Sequence, residues 1–281
     1  MHLATVRDDG TEHGAAVHPE RGVVLLADLH DVPCDVFRVL TAGAIDAVRS
    51  AADHAPASAF RDPGSVRFGA PYRRPRKIWG IGLNYLAHAA DLTEVVPDEP
   101  ASFLKADHTI IGPDEPIPIP AQSERTTSEA ELGLVIGRYC RDVEPEQALD
   151  HLAGVVPVLD QTAEDILQRN PRFLTRSKNF PGFFSFGPRI VPLAEAVAAA
   201  GSLGDIEVAT VINGVVHRGD TVSRMRYDPA FLISFHSKVM PLFPGDVISP
   251  GTPGAVHVRP GDVVECRIPG VGTLRNPVVA G

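Results

Sequence analysis

Short apolar runs punctuated by glycine and proline dominate this chain, and they predict strands more often than helices. Residues 2–6 (His2-Leu3-Ala4-Thr5-Val6) alternate in the manner of a strand. Asp9-Gly10 then supplies a turn, and residues 22–26 form a second apolar stretch. Residues 35–52 are rich in alanine and carry apolar side chains at helical spacing. Farther on, residues 77–82, 129–136, 154–159, 247–249 and 263–266 read as strands. Residues 207–219 read as a hairpin closed by the pair Asn213-Gly214. Helical patterns are few, chiefly 145–153, 162–168 and 229–239. The Pro/Arg-rich junction Ala70-Pro71-Tyr72-Arg73-Arg74-Pro75-Arg76 divides a small N-terminal α/β domain, residues 1–70, from a larger body, residues 71–281.

Composition narrows the class. With 25 glycines and 26 prolines in 281 residues, a helical bundle is excluded and a turn-rich α+β fold with a β-rich body is expected. The formal net charge is −9 and no Lys/Arg run stands out, which argues against nucleic acid or an anionic membrane surface as a partner. The longest apolar stretches fall far short of the roughly 18 residues that a spanning helix needs. Charges at Arg7, Asp8, Asp9, Glu12 and Glu20 interrupt any signal-peptide core. Three scattered cysteines make neither a metal knuckle nor an even disulfide set, so a cytoplasmic protein is expected.

Three groups of residues have chemical potential, each with an ordinary alternative. Glu129 and Glu131 flank Ala130 in a predicted strand and so project from one face, where like charges repel unless a hard cation sits between them. By itself such a pair reads first as an edge strand with solvated charges. Asp160 ends the apolar run 154–159 ahead of a helical pattern, which is also the place of a helix N-cap. His88 and Asp91 share a helical face, so the carboxylate can orient the imidazole as a base, though such pairs are commonly surface hydrogen bonds. Zinc-helix, Walker A and Gly-x-Ser-x-Gly motifs are missing, and Gly80-Ile81-Gly82 lacks the third glycine of a dinucleotide fingerprint.

In their order along the chain these pieces resemble the fumarylacetoacetate hydrolase family. The likeness runs from about Lys77 to Val278. It comprises Gly82-Leu83-Asn84-Tyr85 with His88, Phe103-Leu104-Lys105, Gly112-Pro113, Glu129-Ala130-Glu131-Leu132, Asp160 before Asp165-Ile166, and Ser177-Lys178 before Phe186-Gly187-Pro188. Leu242-Phe243-Pro244-Gly245-Asp246 and Gly251-Thr252-Pro253 complete it. The resemblance implies a catalytic domain built on the family's rolled mixed β-sheet, a small N-terminal domain and a homodimer. It implies Mg²⁺, with Mn²⁺ or Ca²⁺ as alternatives, held by Glu129, Glu131 and Asp160. His88, Asp91 and Lys178 become the catalytic residues, and Tyr85, Lys105, Gly251 and Thr252 the substrate contacts. Residues 86–99 become a lid. The chemistry implied is cleavage of a C–C bond in a 1,3-dicarbonyl or acylpyruvate through an enolate that the metal stabilises.

Departures from the family pattern keep rivals open. Asp91 stands where the family's hydrolases have glutamate, Glu164 where relatives have arginine, and Ala106-Asp107-His108 where Pro-Ser is common after the lysine. They suggest either an unusual substrate or neutral drift outside the site. Decarboxylation or keto–enol isomerisation of a 2-oxo acid such as oxaloacetate, sugar-acid dehydration, and a catalytically silent ligand-binding relative are the alternatives.

Overall fold

The computed structural model describes residues 1–8, 10–86 and 98–281. Its centre is the antiparallel pair of long strands Thr126–Ile136 and Leu152–Ala163, whose register sets Glu131 opposite Val158 and Glu129 opposite Asp160. Thr126–Ile136 is buried from end to end, as expected of a strand covered on both faces. Ala130, Leu132, Leu134 and Ile136 point into the larger core cluster, with Val155 and Leu159 of the neighbouring strand. Val135, Val156 and Val158 belong to a second cluster on the opposite face.

An eight-stranded mixed sheet grows around this pair. On one side Val247–Ser249 joins Thr126–Ile136 and is followed by Ile78–Gly82 and Ala101–Lys105. On the other side stand Phe184–Phe186 and then Ile110–Ile111. Ile78–Gly82 runs parallel to Val247–Ser249, with Ile78 opposite Val247. Asp246 fixes that start: its carboxylate accepts from the Lys77 amide (3.0 Å) and the Phe243 amide (2.8 Å), and Lys77 Nζ lies 2.6 Å away.

A second sheet of five strands, including the hairpin Glu207–Ile212/Val215–Thr221 and the strands Val263–Ile268 and Gly272–Ala280, covers the larger cluster. Val264, Cys266 and Ile268 alternate inward along their strand. The hairpin turns at Asn213-Gly214, both at positive φ. The fold is therefore α+β and strand-rich with a curled sheet, as the sequence predicts.

Near the N-terminus, His2–Asp8, Thr11–His18 and Gly22–Leu25 form the third sheet. His2–Asp8 also pairs with Arg189–Ile190, and Leu3, Val24 and Val39 share a core cluster with Phe186 and Val247. The boundary near residue 70 thus stands as a proposal across a shared core.

Helices differ from expectation at their ends. Residues 35–52 form two helices, Val36–Thr41 and Ile45–His54, divided near Gly43 at φ 63°. Pro145–Ala148 is followed by a 3₁₀ turn, and the strand begins at Leu152. The helix expected over 162–168 runs Glu164–Arg169, because Thr162 and Ala163 still pair with Thr127 and Thr126. Pro229–Val239 forms as predicted, with Asp228 accepting from the Phe231 amide and proline in the first turn.

That helix buries His236, whose Nδ1 lies 2.8 Å from the Leu232 carbonyl and whose Nε2 has no partner among the described residues. Burial lowers its pKa below 6.5, a shift partly opposed by the bond to Leu232. A histidine kept neutral by the fold contributes stability that is complete above the unfolded value and is lost as pH falls through 6.5 toward the folded one. The melting temperature should therefore fall between pH 7 and pH 5, and the fall should be shallower in His236→Gln. Equal slopes in the two proteins would refute this assignment.

Candidate metal centre and active site

Strand alternation and register together assemble three carboxylates. Glu129 and Glu131 share the face of Thr126–Ile136 that Val135 also occupies, and Asp160 lies directly across from Glu129. One ligand oxygen from each of the three lies within 4.8 Å of the other two, and all three residues are buried. This overturns both ordinary readings. The Glu pair lies on a central strand rather than an exposed edge, and Asp160 is inside a strand, three residues before Ala163, which stands at the N-cap position of the following helix.

Two ammonium groups meet these carboxylates. Lys178 Nζ donates to Asp160 Oδ2 (2.7 Å) and Glu129 Oε2 (3.1 Å), and it stands 4.5 Å over the Phe103 ring. Burial opposes its charge, yet Asp160 and Glu129 hold its pKa above the ordinary lysine value. Lys105 Nζ lies 2.5 Å from Asp160 Oδ1. Its hydrogen bonds, however, go to the carbonyls of Phe183 (2.6 Å), Lys178 (2.8 Å) and Gln161 (3.1 Å). An ammonium has three protons, so Lys105 divides them between these carbonyls and Asp160 Oδ1, whose charge it faces at salt-bridge distance. Burial lowers the Lys105 pKa to about 8 despite the neighbouring Asp160.

The remaining donors arrive from distant segments. Glu131 Oε2 accepts from Ser249 Oγ (2.6 Å) and the Gly251 amide (2.8 Å). Glu129 Oε1 accepts from Thr162 Oγ1 (3.0 Å) and Thr127 Oγ1 (3.3 Å). Burial, and secondarily the Asp160 charge, push Glu131 up to about 8, with its hydrogen bonds pulling the other way. Three carboxylates facing two ammoniums leave an excess of negative charge. That excess and the raised Glu131 are what an oxygen-ligated divalent cation would satisfy. The triad is a group that can hold such an ion.

Gly251 has φ +107°, and a Cβ there would meet the Asn84 Cβ at 2.9 Å. Asn84 fixes this approach. Its amide donates to the carbonyls of Pro250 (2.7 Å) and Tyr227 (2.9 Å), and its Oδ1 accepts from the Tyr227 amide. Thr252 is buried and bonded to Gly254. Tyr85 is fully buried, its hydroxyl has no partner among the described residues, and burial and the Glu131 charge raise its pKa. Lys105 thus lies behind Asp160, while Gly251 reaches Glu131 directly. His88 and Asp91 lie outside the described residues, as does most of the expected lid.

Sequence reasoning did not single out Ser249, Thr127 and Thr162, which donate to the carboxylates, or Asn84, which holds the Pro250–Gly251 turn against them through backbone carbonyls. The departures at 106–108 and 164 also have structural partners. His108 Nε2 lies 2.8 Å from the Asn179 carbonyl, and the Ala106 amide donates to Asn179 Oδ1, bracing the residue after Lys178. Glu164 pairs with Arg125 at 2.8 Å, so the expected charge reversal is balanced within the chain.

A profile of the fumarylacetoacetate hydrolase C-terminal domain matches residues 77–279. The chain belongs to the fumarylacetoacetate hydrolase family. It is 33% identical over 259 residues to the mitochondrial oxaloacetate tautomerase fahd2 of Xenopus laevis, covering 88% of this chain and 79% of that protein. Among solved structures it resembles a fumarylacetoacetate hydrolase from psychrophilic Exiguobacterium antarcticum (TM-score 0.83, 29% identity, all of both chains covered). It also resembles a 2-hydroxyhepta-2,4-diene-1,7-dioate isomerase from Mycobacterium marinum (TM-score 0.77, 30% identity, 100% and 98% covered). The family thus includes hydrolases, isomerases and tautomerases of small molecules. Among the described residues, no helix is long and apolar enough to cross a membrane.

If the triad is the metal centre, millimolar Mg²⁺ or Mn²⁺ should raise the melting temperature of the protein, because a ligand of the native state stabilises it. Glu131→Gln and Asp160→Asn should each abolish the rise, and an undiminished rise in both would place the ion elsewhere.

Proposed function

We propose that this protein is a divalent-metal-dependent hydrolase that cleaves a C–C bond in an acylpyruvate or related 1,3-dicarbonyl compound. The observation that supports it best is the buried Glu129–Glu131–Asp160 group with Lys178 bonded across two of its members. A divalent cation held by those three carboxylates, with Mg²⁺ favoured by the all-oxygen donor set, would supply Lewis acidity toward the paired oxygens of a 2-oxo acid.

The chain's own residues supply the remaining functions. On this reading His88, oriented by Asp91, takes a proton from a water whose oxygen bonds to the remote carbonyl carbon. The C–C bond then breaks, the acyl portion leaves as a carboxylic acid, and the electron pair stays with the pyruvate portion as an enolate. Lys178, held cationic by Asp160 and Glu129, offsets the growing negative charge. Protonation of the enolate carbon completes the balance. Gly251 and Ser249 fix the orientation of Glu131, and the Gly251–Thr252 turn forms part of the substrate wall. The substrate is a small oxo acid or dicarbonyl, and a homodimer in the cytoplasm is the expected setting.

Keto–enol tautomerisation of a 2-oxo acid is the second reading, favoured by the similarity to the Xenopus oxaloacetate tautomerase. It uses the same carboxylates and Lys178 but needs no activated water. Turnover of acetylpyruvate, fumarylpyruvate and oxaloacetate with Mg²⁺ separates the two. Pyruvate plus a free carboxylic acid from an acylpyruvate is expected. His88→Ala should lower that cleavage by at least about 100-fold while metal binding persists. Loss of the oxaloacetate enol without cleavage or carbon dioxide, with acylpyruvates untouched, would replace hydrolysis by tautomerisation. A fully active His88→Ala enzyme would remove the water-activating role.

A further inference from the structure

Away from the carboxylates, Arg189 occupies an unusual position. It pairs in register with Ala4, so its strand joins the N-terminal sheet, and two residues later Val191 bridges to Val155 of the central hairpin. Its Nε is buried without a hydrogen-bond partner, and among the described residues no carboxylate lies within ion-pair distance of its guanidinium. Burial alone lowers its pKa, with no acidic neighbour to oppose the shift. The residue as a whole is half-buried, so what marks it is the one donor, Nε, that the fold shields from solvent and leaves unmatched among the described residues.

A cavity of about 470 Å³ opens onto this side chain. Arg189, Arg267, His2 and Thr273 supply its polar side chains, and no aspartate or glutamate lines it. The nearby acids are already engaged: Glu195 with His2 Nε2 at 2.7 Å, and Glu265 with Arg267 Nε at 2.6 Å. His2 Nδ1 is itself buried without a partner. A smaller cavity on the other side of His2 and Arg189 has Glu20 in its lining and Arg21, which is bonded to the carbonyls of Ala52, Asp53 and Ala55. Arg189 thus borders both cavities, and of the two the larger has no carboxylate in its lining.

We propose that this cavity is a binding site for a small oxyanion ligand, a carboxylate or a phosphate ester, with Arg189 as its anchor at the seam between the N-terminal and catalytic sheets. A guanidinium offers paired donors to either group, and Arg267 and Thr273 stand on the same wall to complete the contact. The site depends on no reading of the reaction. Bound there, the anion would tie the strands His2–Asp8 and Arg189–Ile190 to the turn between Val263–Ile268 and Gly272–Ala280.

The test uses the full chain in EDTA, so that no anion reports through a cation on the triad. Melting temperatures are compared in sodium phosphate, sodium succinate and sodium chloride at equal ionic strength, for wild type, Arg189→Met and Arg267→Met. Phosphate or succinate should raise the wild-type value by roughly 2–4 °C more than it raises that of Arg189→Met. Comparison between variants cancels the general effect of excluded salts. A shift with phosphate alone assigns a phosphate ligand, and a shift with succinate alone assigns a carboxylate. Arg267→Met should show a reduced shift, and it decides the matter if Arg189→Met does not fold. No anion-specific shift in wild type, or the same shift in the variants, overturns the proposal.

Discussion

Ionised groups taken out of water must be compensated where they lie, and the central hairpin carries three carboxylates on one buried face. Glu129, Glu131 and Asp160 would repel one another there, and the chain meets them with Lys105, Lys178 and hydrogen bonds from Ser249, Gly251, Thr127 and Thr162. Removing one partner from such a set leaves an uncompensated charge, commonly at a cost of about 3–5 kcal/mol. The path of the surrounding chain follows from this demand. Ala101–Lys105 must deliver an ammonium, the helix that ends at Lys178 a second one, and the strand Val247–Ser249 a hydroxyl, with the Gly251 amide two residues beyond it.

Much of this was legible in the sequence, for identifiable reasons. Period-two geometry alone put Glu129 and Glu131 on one side, and the apolar character of residues 132–136 pointed to a strand. Asp160 was harder. Its position just before a helical pattern resembles a cap, and only the continued pairing of Thr162 and Ala163 shows that the strand runs on past it. The same extension explains why two helical spans were drawn too long, since β-pairing at each end of Leu152–Ala163 overrode local helical spacing.

What stayed hidden was long-range donation. Ser249 is 118 residues from Glu131 and Asn84 is 166 from Pro250, and nothing local in either sequence neighbourhood marks such a bond. Lys105 shows the opposite limit. A motif lysine invites a role toward substrate, whereas here its protons bind three carbonyls and its charge stands behind Asp160. Residues 106–108 and Glu164 looked anomalous as text and are locally accommodated in space, by Asn179 and Arg125.

The pairing of Glu129 with Asp160 has a consequence for folding fidelity. A strand slipped by one residue turns every side chain to the opposite face, which would carry Asp160 into the apolar cluster of Leu132 and Leu134 and bring Leu159 to the glutamates. No hairpin slipped by one residue can present the three carboxylates together. A cation held by the three would thus favour the native alignment over a one-residue slip, acting as a proofreader of strand face during folding before it took any part in chemistry.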